Sequence, residues 1–223
     1  MISTMPTPAP IPYRRSGFQV ALLLFATFGL YLFVWAFQTR RWCSATLQRQ
    51  DQPLWKSIAL IVPIFNLALL FELGQSIKSV AARSELAKTK LALGWLTILS
   101  FVIGALWRLP DPYWFFTAFD FVPLAVIQLV FVRAEIALDG PAAAPTRFHW
   151  VEWIFIVLGS LVWLLAAAGA WVPDATGYLA PFPWLPAAIL VCCVFVLGGF
   201  ARASRRDVAR LTQAVAQAAL PTV

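Results

Sequence analysis

Six apolar windows, each about as long as a bilayer is thick, constrain the fold of this chain more than any other feature. A spanning helix needs about 20 apolar residues to cross ~30 Å of hydrocarbon. Only 12% of the 223 residues are charged, against about 25% in an average soluble domain. We therefore expect an all-α integral membrane helical bundle of about six transmembrane helices, arranged as three hairpins. The windows are Phe18–Phe37, Leu54–Leu73, Leu91–Leu109, Tyr113–Val132, Trp150–Val172 and Phe182–Ala201.

The windows divide the chain into three predicted regions. Residues 1–17 carry four prolines alternating with other residues, a composition typical of an extended or disordered tail. Residues 18–201 form the predicted transmembrane helical domain, whose first helix is retained and not cleaved as a signal peptide. Residues 202–223 form a basic amphipathic C-terminal helix and tail.

The C-terminal region predicts contact with lipid. Its apolar residues Val208, Leu211 and Val215 share one helical face. This pattern suits a helix on an anionic lipid surface, and a solvated helical tail is the alternative. The residues expected to contact lipid headgroups are Arg202, Arg205, Arg206 and Arg210.

Prolines and aspartates recur at a fixed spacing, which predicts repeated helical hairpins. Asp51 and Pro63, Asp111 and Pro123, and Asp174 and Pro186 are each 12 residues apart. Breakers at 110–112 and 173–181 join the third window to the fourth and the fifth to the sixth. Tryptophans and tyrosines flank both turns, as expected at a membrane interface.

The basic residues predict the orientation. Six spans with both termini in the cytoplasm place most Lys and Arg on the cytoplasmic side, but leave Arg40, Arg41, Arg49 and Lys56 outside. In the alternative, Leu54–Leu73 is re-entrant, the first loop is cytoplasmic and the N-terminus is outside. We favour six spans, because the window length and the repeat support them. No nucleic-acid partner is expected, since no soluble basic domain is present.

Two motifs in the first third of the chain resemble a known group of proteins. Gly29-Leu30-Tyr31 is followed by Trp35 and Arg40-Arg41, and later by Val62-Pro63-Ile64-Phe65-Asn66. Over residues 18–80 the chain resembles bacterial multi-pass membrane proteins with a shared domain of unknown function. The resemblance implies the bacterial cytoplasmic (inner) membrane, and implies no activity, catalytic residue or ligand.

Asp120 is the leading candidate for chemistry, because it lies inside the fourth window. A charge at the bilayer centre costs at least about 2.5–3.5 kcal/mol. We therefore expect Asp120 to be protonated or to have a partner, for which Arg108 is a candidate, and a proton or cation site is one interpretation; a carboxylate that snorkels to the interface is another. The alternative is a structural hydrogen bond near a turn.

The second window supplies another candidate. A helix broken at Pro63 would free backbone carbonyls, and these carbonyls, Asn66 and Glu72 could then bind a cation. The alternative is a simple proline kink followed by a terminal carboxylate.

His149 and Glu152 form a predicted interfacial polar pair, since three residues separate them on a helix. No nucleophile lies at a recognisable spacing, so we predict no catalytic residue. With one histidine and three cysteines, Cys43, Cys192 and Cys193, we predict no metal or cofactor. Cys43 is the only cysteine expected in a loop.

Small residues predict close helix packing around Gly104 and Gly169. We expect a non-catalytic accessory or assembly protein whose partners are the bilayer and a second copy or another membrane protein. The alternative is a small transporter or channel subunit that uses Asp120 and the broken helix around Pro63 and Asn66.

Overall fold

The computed structural model describes residues 14–85, 87–140, 147–171 and 182–218, and all regular structure in these ranges is helical. This confirms the all-α fold class. Most of the Pro-rich tail, the turn at 173–181 and the last five residues lie outside the described residues. The helices are α1 Gly17–Ala26, α2 Tyr31–Leu47, α3 Pro53–Ile58, α4 Pro63–Ala81, α5 Leu93–Gly104, α6 Phe121–Asp139, α7 Trp150–Gly169 and α8 Leu185–Ala218, with 3₁₀ segments at Ala59–Ile61, Ala105–Arg108 and Tyr113–Phe119.

Three helical segments are long and apolar enough to cross a membrane. They are Tyr113–Asp139, Trp150–Gly169 and Leu185–Val215, while Gly17–Ala26 and Leu93–Arg108 are apolar but shorter. The first of these is largely buried, and the other two expose most of their surface. The protein is therefore a helical membrane protein, although six spans are not confirmed.

The first apolar window is a helical hairpin. Helix α1 ends at Ala26, and the left-handed backbone of Phe28 (φ 52°) and Gly29 (φ 81°) reverses the chain before α2. Arg14, which precedes α1, lies 2.7 Å from a carboxylate oxygen of Asp139, and Trp42 near the end of α2 donates to the same oxygen at 3.1 Å. Helix α2 therefore returns to the end of the bundle where α1 begins, and the prediction that Phe18–Phe37 is one uninterrupted helix is wrong.

The second window also turns back on itself. Helix α3, a 3₁₀ turn and the extended residue Val62 precede α4, which begins at Pro63. Lys56 Nζ lies 2.6 Å from Glu72 Oε1. In one continuous helix these two residues would be about 24 Å apart, a distance their side chains cannot bridge. The geometry is that of the re-entrant alternative and not of the favoured single span.

The third and fourth windows form the predicted hairpin. Ser100 Oγ on α5 donates to the backbone carbonyl of Asp120 at 2.8 Å, so α6 begins beside the end of α5. The prolines of the predicted repeat mark helix starts: Pro63, Pro123 and Pro186 lie in the first turns of α4, α6 and α8. A proline is tolerated there because the first N–H groups of a helix have no intrahelical acceptor.

Helices α7 and α8 complete the bundle. The backbone N–H of Phe18 donates to Ser204 Oγ, and Cys193 Sγ lies 3.9 Å from the carbonyl of Ala118, so α8 runs in the same direction as α6. Helix α8 continues without a break through Arg202. Leu211, on the face predicted to meet lipid, packs on α6 instead. The C-terminal region is therefore an extension of the last apolar helix and not a separate element.

Close packing occurs at glycines other than those predicted. A Cβ atom on Gly159 of α7 would lie 1.7 Å from the carbonyl oxygen of Ala26, whereas one on Gly169 would meet nothing within 4 Å. Gly74 and Gly94 allow a similar approach of α4 to α5. Helix α7 thus supports the C-terminal end of α1, directly before the Phe28–Gly29 turn.

The substitution Gly159→Ala should destabilise the fold, because its methyl group must displace the α1 backbone. We expect a loss of about 1–3 kcal/mol, the usual magnitude for overpacking. Reversible unfolding of the purified protein in mixed micelles measures the change. Gly169→Ala on the same helix is the matched control and should be no less stable than wild type. Equal stability of the two variants would contradict the close contact at Ala26.

Candidate functional site

The carboxylates that form no ion pair lie at one cavity. Of the carboxylates that the structure describes, all but two lie within 4.0 Å of a lysine or arginine nitrogen. The two exceptions, Asp111 and Asp120, line the same cavity. Negative charge without a protein counter-ion is therefore concentrated at one place in the described structure.

This cavity has a volume of about 790 Å³. The turn of the α1–α2 hairpin, the α5–α6 turn and α7 form its walls. Asp120 precedes the first residue of α6, and a Cβ atom on Gly29 would lie 3.5 Å from its Oδ2. The lining residues are Leu24, Phe25, Phe28, Gly104, Trp107, Leu109, Pro110, Asp111, Trp114, Thr117, Ala118, Asp120 and Trp163.

The environment of Asp120 offers little to stabilise its charge. Its carboxylate faces the backbone N–H of Phe121 and no cationic side chain. All 17 Lys and Arg residues lie within the described ranges, so no lysine or arginine partner lies outside them. A helix N-terminus stabilises a carboxylate by about 0.3–1 kcal/mol, and Asp120 is half-buried where α6 begins, facing the cavity. Within the described structure, this N–H is therefore the main protein group that stabilises the Asp120 carboxylate.

The predicted partner of Asp120 does not bind it. The described structure contains no ion pair between Arg108 and Asp120, and Arg108 is exposed at the end of its 3₁₀ segment. Asp111 instead accepts a hydrogen bond from the indole N–H of Trp114.

At the opposite end of α6, the buried charges are paired. The guanidinium of Arg15 forms two contacts with Glu152, at 2.9 Å and 2.8 Å, and donates to the carbonyl of Arg147 at 3.0 Å. The backbone N–H of His149 donates to Glu152 at 2.8 Å, and the His149 ring accepts from Val151 in return. The predicted polar pair of His149 and Glu152 is thus a capping box that begins α7 and holds Arg15.

Two further carboxylates, Asp139 and Glu135, lie near this end of α6 beside Arg14. Arg14 binds Asp139 at 2.7 Å and reaches Glu135 only at 3.9 Å. Glu135 is 1% exposed, and its Oε1 has no hydrogen-bond partner within the described structure. Gln128 of α6 donates to the Arg15 carbonyl and accepts from the indole N–H of Trp35. Polar groups thus continue along the buried side of α6 from Asp120 towards Asp139.

The structure does not bring Asn66 and Glu72 together. Both lie in regular helix α4, and six residues place them about 120° apart around its axis. Asn66 donates to the carbonyl of Leu60 at 2.8 Å, which satisfies one carbonyl freed by the break before Pro63. Glu72 binds Lys56 and Arg40. Its carboxylate therefore already has two cationic partners.

The same ion-pair group includes Asp51. Lys56 Nζ lies 2.9 Å from Asp51 Oδ1. Partial burial acts to raise the pKa of Asp51, but the hydrogen bond and the positive charge of Lys56 outweigh it, and the pKa lies below its usual value. These ion pairs thus link the loop after α2 to α4 through Asp51, Lys56, Glu72 and Arg40.

Two other predictions concern the surface. The four arginines of α8 predicted to meet headgroups are all exposed, so they are available to lipid. Cys43, predicted to lie in an accessible loop, is instead 2% exposed inside α2, and burial raises the pKa of its thiol. No group of three or more metal-ligating residues occurs within the part of the chain that the structure describes.

Sequence reasoning missed most of the cavity. It identified Asp120, but it assigned Trp107 and Trp114 to an interfacial belt and Asp111 to a turn. Phe28 and Gly29 were placed inside a continuous helix. The Gly29 position in the middle of an apolar window was the one available signal of a break.

The chain has no match to a known family. No protein-family profile, no curated protein and no solved structure matches it. The resemblance over residues 18–80 therefore stays a prediction.

Asp120→Asn should leave the free energy of unfolding unchanged or increase it, because the substitution removes a charge that has no protein partner. Glu152→Gln should reduce it by about 3 kcal/mol, because it leaves the buried Arg15 without its counter-ion. Reversible unfolding in mixed micelles compares the two variants. A larger loss for Asp120→Asn than for Glu152→Gln would show that Asp120 has a structural partner.

Proposed function

We propose that this protein is a small membrane transporter, or the subunit of a transporter or channel, that binds a cation at Asp120. The observation that carries the proposal is the pairing pattern: Asp111 and Asp120 are the two described carboxylates without a lysine or arginine, and they share one cavity. Residues that lack partners in the resting protein are expected where a ligand supplies the partner.

The hairpin turns favour transport over a purely structural role. Non-helical backbone at membrane depth is stable only where protein or a water-filled cavity shields it. The turn at Phe28 and Gly29 lines the Asp120 cavity. Interrupted helices also form the ion sites of secondary transporters, where the helix ends and the freed carbonyls face the ion.

The hairpins also lead to a specific topology. In our proposal, α1–α2 and α3–α4 enter the membrane and return to the Asp139 side, and the segments containing α5, α6, α7 and α8 cross it. Of the 17 Lys and Arg residues, all but Arg108 then lie on the side that we assign to the cytoplasm, as the positive-inside rule requires. Residue 14 and the last described turn of α8 lie on that side as well.

A non-catalytic accessory or assembly protein is the competing function. Its support is the broad apolar surface of α7 and α8, which leaves room for a second copy or another membrane protein beside the lipid. Contact of the four α8 arginines with anionic headgroups, and residence in a bacterial cytoplasmic membrane, fit both functions. An accessory protein has no need for a charged Asp120.

Single cysteines distinguish the proposed topology from six spans. In a background where the native cysteines are replaced by serine, Gln50→Cys should resist a membrane-impermeant maleimide in intact cells and react after permeabilisation. Arg108→Cys should react in intact cells, and Lys88→Cys should behave like Gln50→Cys. Labelling of Gln50→Cys in intact cells would place the loop after α2 outside and contradict the hairpin topology.

Cation flux tests the function itself. Purified protein in liposomes should conduct Na⁺, K⁺ or H⁺ under an imposed membrane potential, measured with encapsulated ion-sensitive dyes. Asp120→Asn should reduce the flux at least about tenfold, because it removes the binding charge. Asp207→Asn, whose wild-type carboxylate pairs with Arg133 on the other side of the bundle, is the control and should retain it.

Two results would contradict the transport proposal. One is flux no greater than that of empty liposomes for inorganic and organic cations alike. The other is unchanged flux in Asp120→Asn. Either result would favour the accessory function.

A further inference from the structure

The walls of the Asp120 cavity are unusually aromatic for a site that holds two carboxylates. Trp163 stacks on Phe25 with ring centroids 5.3 Å apart, on Phe28 at 4.6 Å and on Trp114 at 6.0 Å. Its indole N–H donates to the carbonyl of Phe25 at 2.9 Å, which holds the ring in place. These rings form a rigid aromatic wall beside Asp120.

Trp107 differs from the other rings of the cavity in its high exposure. It is 66% exposed, and within the described residues it stacks on no other ring. It lines the cavity together with Pro110 and Asp111, which are also exposed. Most of its surface is therefore free of contact with the protein.

This combination favours one chemical class of ligand. We propose that the cavity binds an organic ammonium ion that carries an apolar substituent, with its charge at Asp120 and its alkyl groups against Trp107 and the Trp163 wall. The proposal rests on the proposed cation-binding function and names its substrate class. Ring faces attract such cations within about 6 Å of the centroid, and quaternary ammonium ions are the usual ligands of aromatic sites.

The shape of the cavity argues against a bare metal ion as its preferred ligand. Hard cations need six to eight oxygen ligands at short range. Among side chains, the described lining residues offer the carboxylates of Asp111 and Asp120 and the hydroxyl of Thr117 as oxygen ligands, while most of the other lining side chains are aromatic or aliphatic. A volume of about 790 Å³ falls in the range of about 300–1,000 Å³ typical of organic ligands.

The binding of radiolabelled benzyltrimethylammonium to the purified protein in nanodiscs tests this inference. We expect saturable binding that NaCl and the neutral isostere neopentylbenzene do not displace. Asp120→Asn should weaken it at least about tenfold, since it removes the counter-charge. Trp107→Leu should weaken it about 2- to 30-fold, the effect of one cation–π contact, and Trp107→Phe should restore part of the affinity.

A matched tryptophan provides the control. Trp55 on α3 is 67% exposed and does not line the cavity, so Trp55→Leu should bind benzyltrimethylammonium as wild type does. This variant corrects for nonspecific partition of the probe onto exposed tryptophan.

The outcomes separate the substrate class from the function. If Asp120-dependent flux of inorganic cations occurs but benzyltrimethylammonium does not bind, or binds Trp107→Leu as tightly as wild type, the organic ammonium class is wrong and cation transport stands. If neither inorganic nor organic cations show any dependence on Asp120, both proposals fail. Displacement by neopentylbenzene would show a merely hydrophobic pocket and would also overturn the ammonium class.

Discussion

A charge held away from water must have a partner, and this constraint organises the whole bundle. Near Asp139, the described carboxylates have arginine neighbours: Arg15 binds Glu152, and Arg14 binds Asp139 and lies 3.9 Å from Glu135. These pairs join the start of α1 to α6 and α7, so they fix where the first hairpin enters. At the other end of α6 the same constraint is unmet, because Asp120 has no cationic side chain beside it. This difference between the two ends is the basis on which we propose a binding site at Asp120.

The hairpins satisfy a second requirement, since backbone groups away from water also need partners. A helix that stops early leaves its last carbonyls free. The indole N–H of Trp163 binds the carbonyl of Phe25 near the end of α1, and the amide of Asn66 binds the carbonyl of Leu60 before α4. The close approach of Gly159 to Ala26 allows α7 to cover the same region. The turn beside Asp120 is therefore held by packing and hydrogen bonds, and it can line a cavity without unfolding.

Sequence patterns predicted the helical membrane fold, because hydropathy is a local property, and they drew attention to Asp120, which lines the cavity. They failed for windows one and two, because a window of about 20 apolar residues has the same composition whether it crosses a membrane or turns back. Two signals pointed to the turns: Gly29 and Pro63 interrupt these windows, and Arg40 and its neighbours fell on the wrong side of a six-span topology. The aromatic wall could not be predicted, since it joins α1, α7 and the α5–α6 turn, which only the tertiary fold brings together. Cys43 was misjudged for the same reason, because its burial depends on contacts distant in sequence.

The central claim is that the carboxylate of Asp120 takes its partner from outside the chain, and infrared difference spectroscopy tests it most directly. Spectra of the protein in lipid films are recorded with and without a bound cation, for wild type and for Asp120→Asn. We predict carboxyl and carboxylate difference bands on cation addition in wild type that are missing in Asp120→Asn and retained in Asp207→Asn. Identical difference spectra for wild type and Asp120→Asn would contradict the claim, since the cation would then leave this carboxylate unchanged.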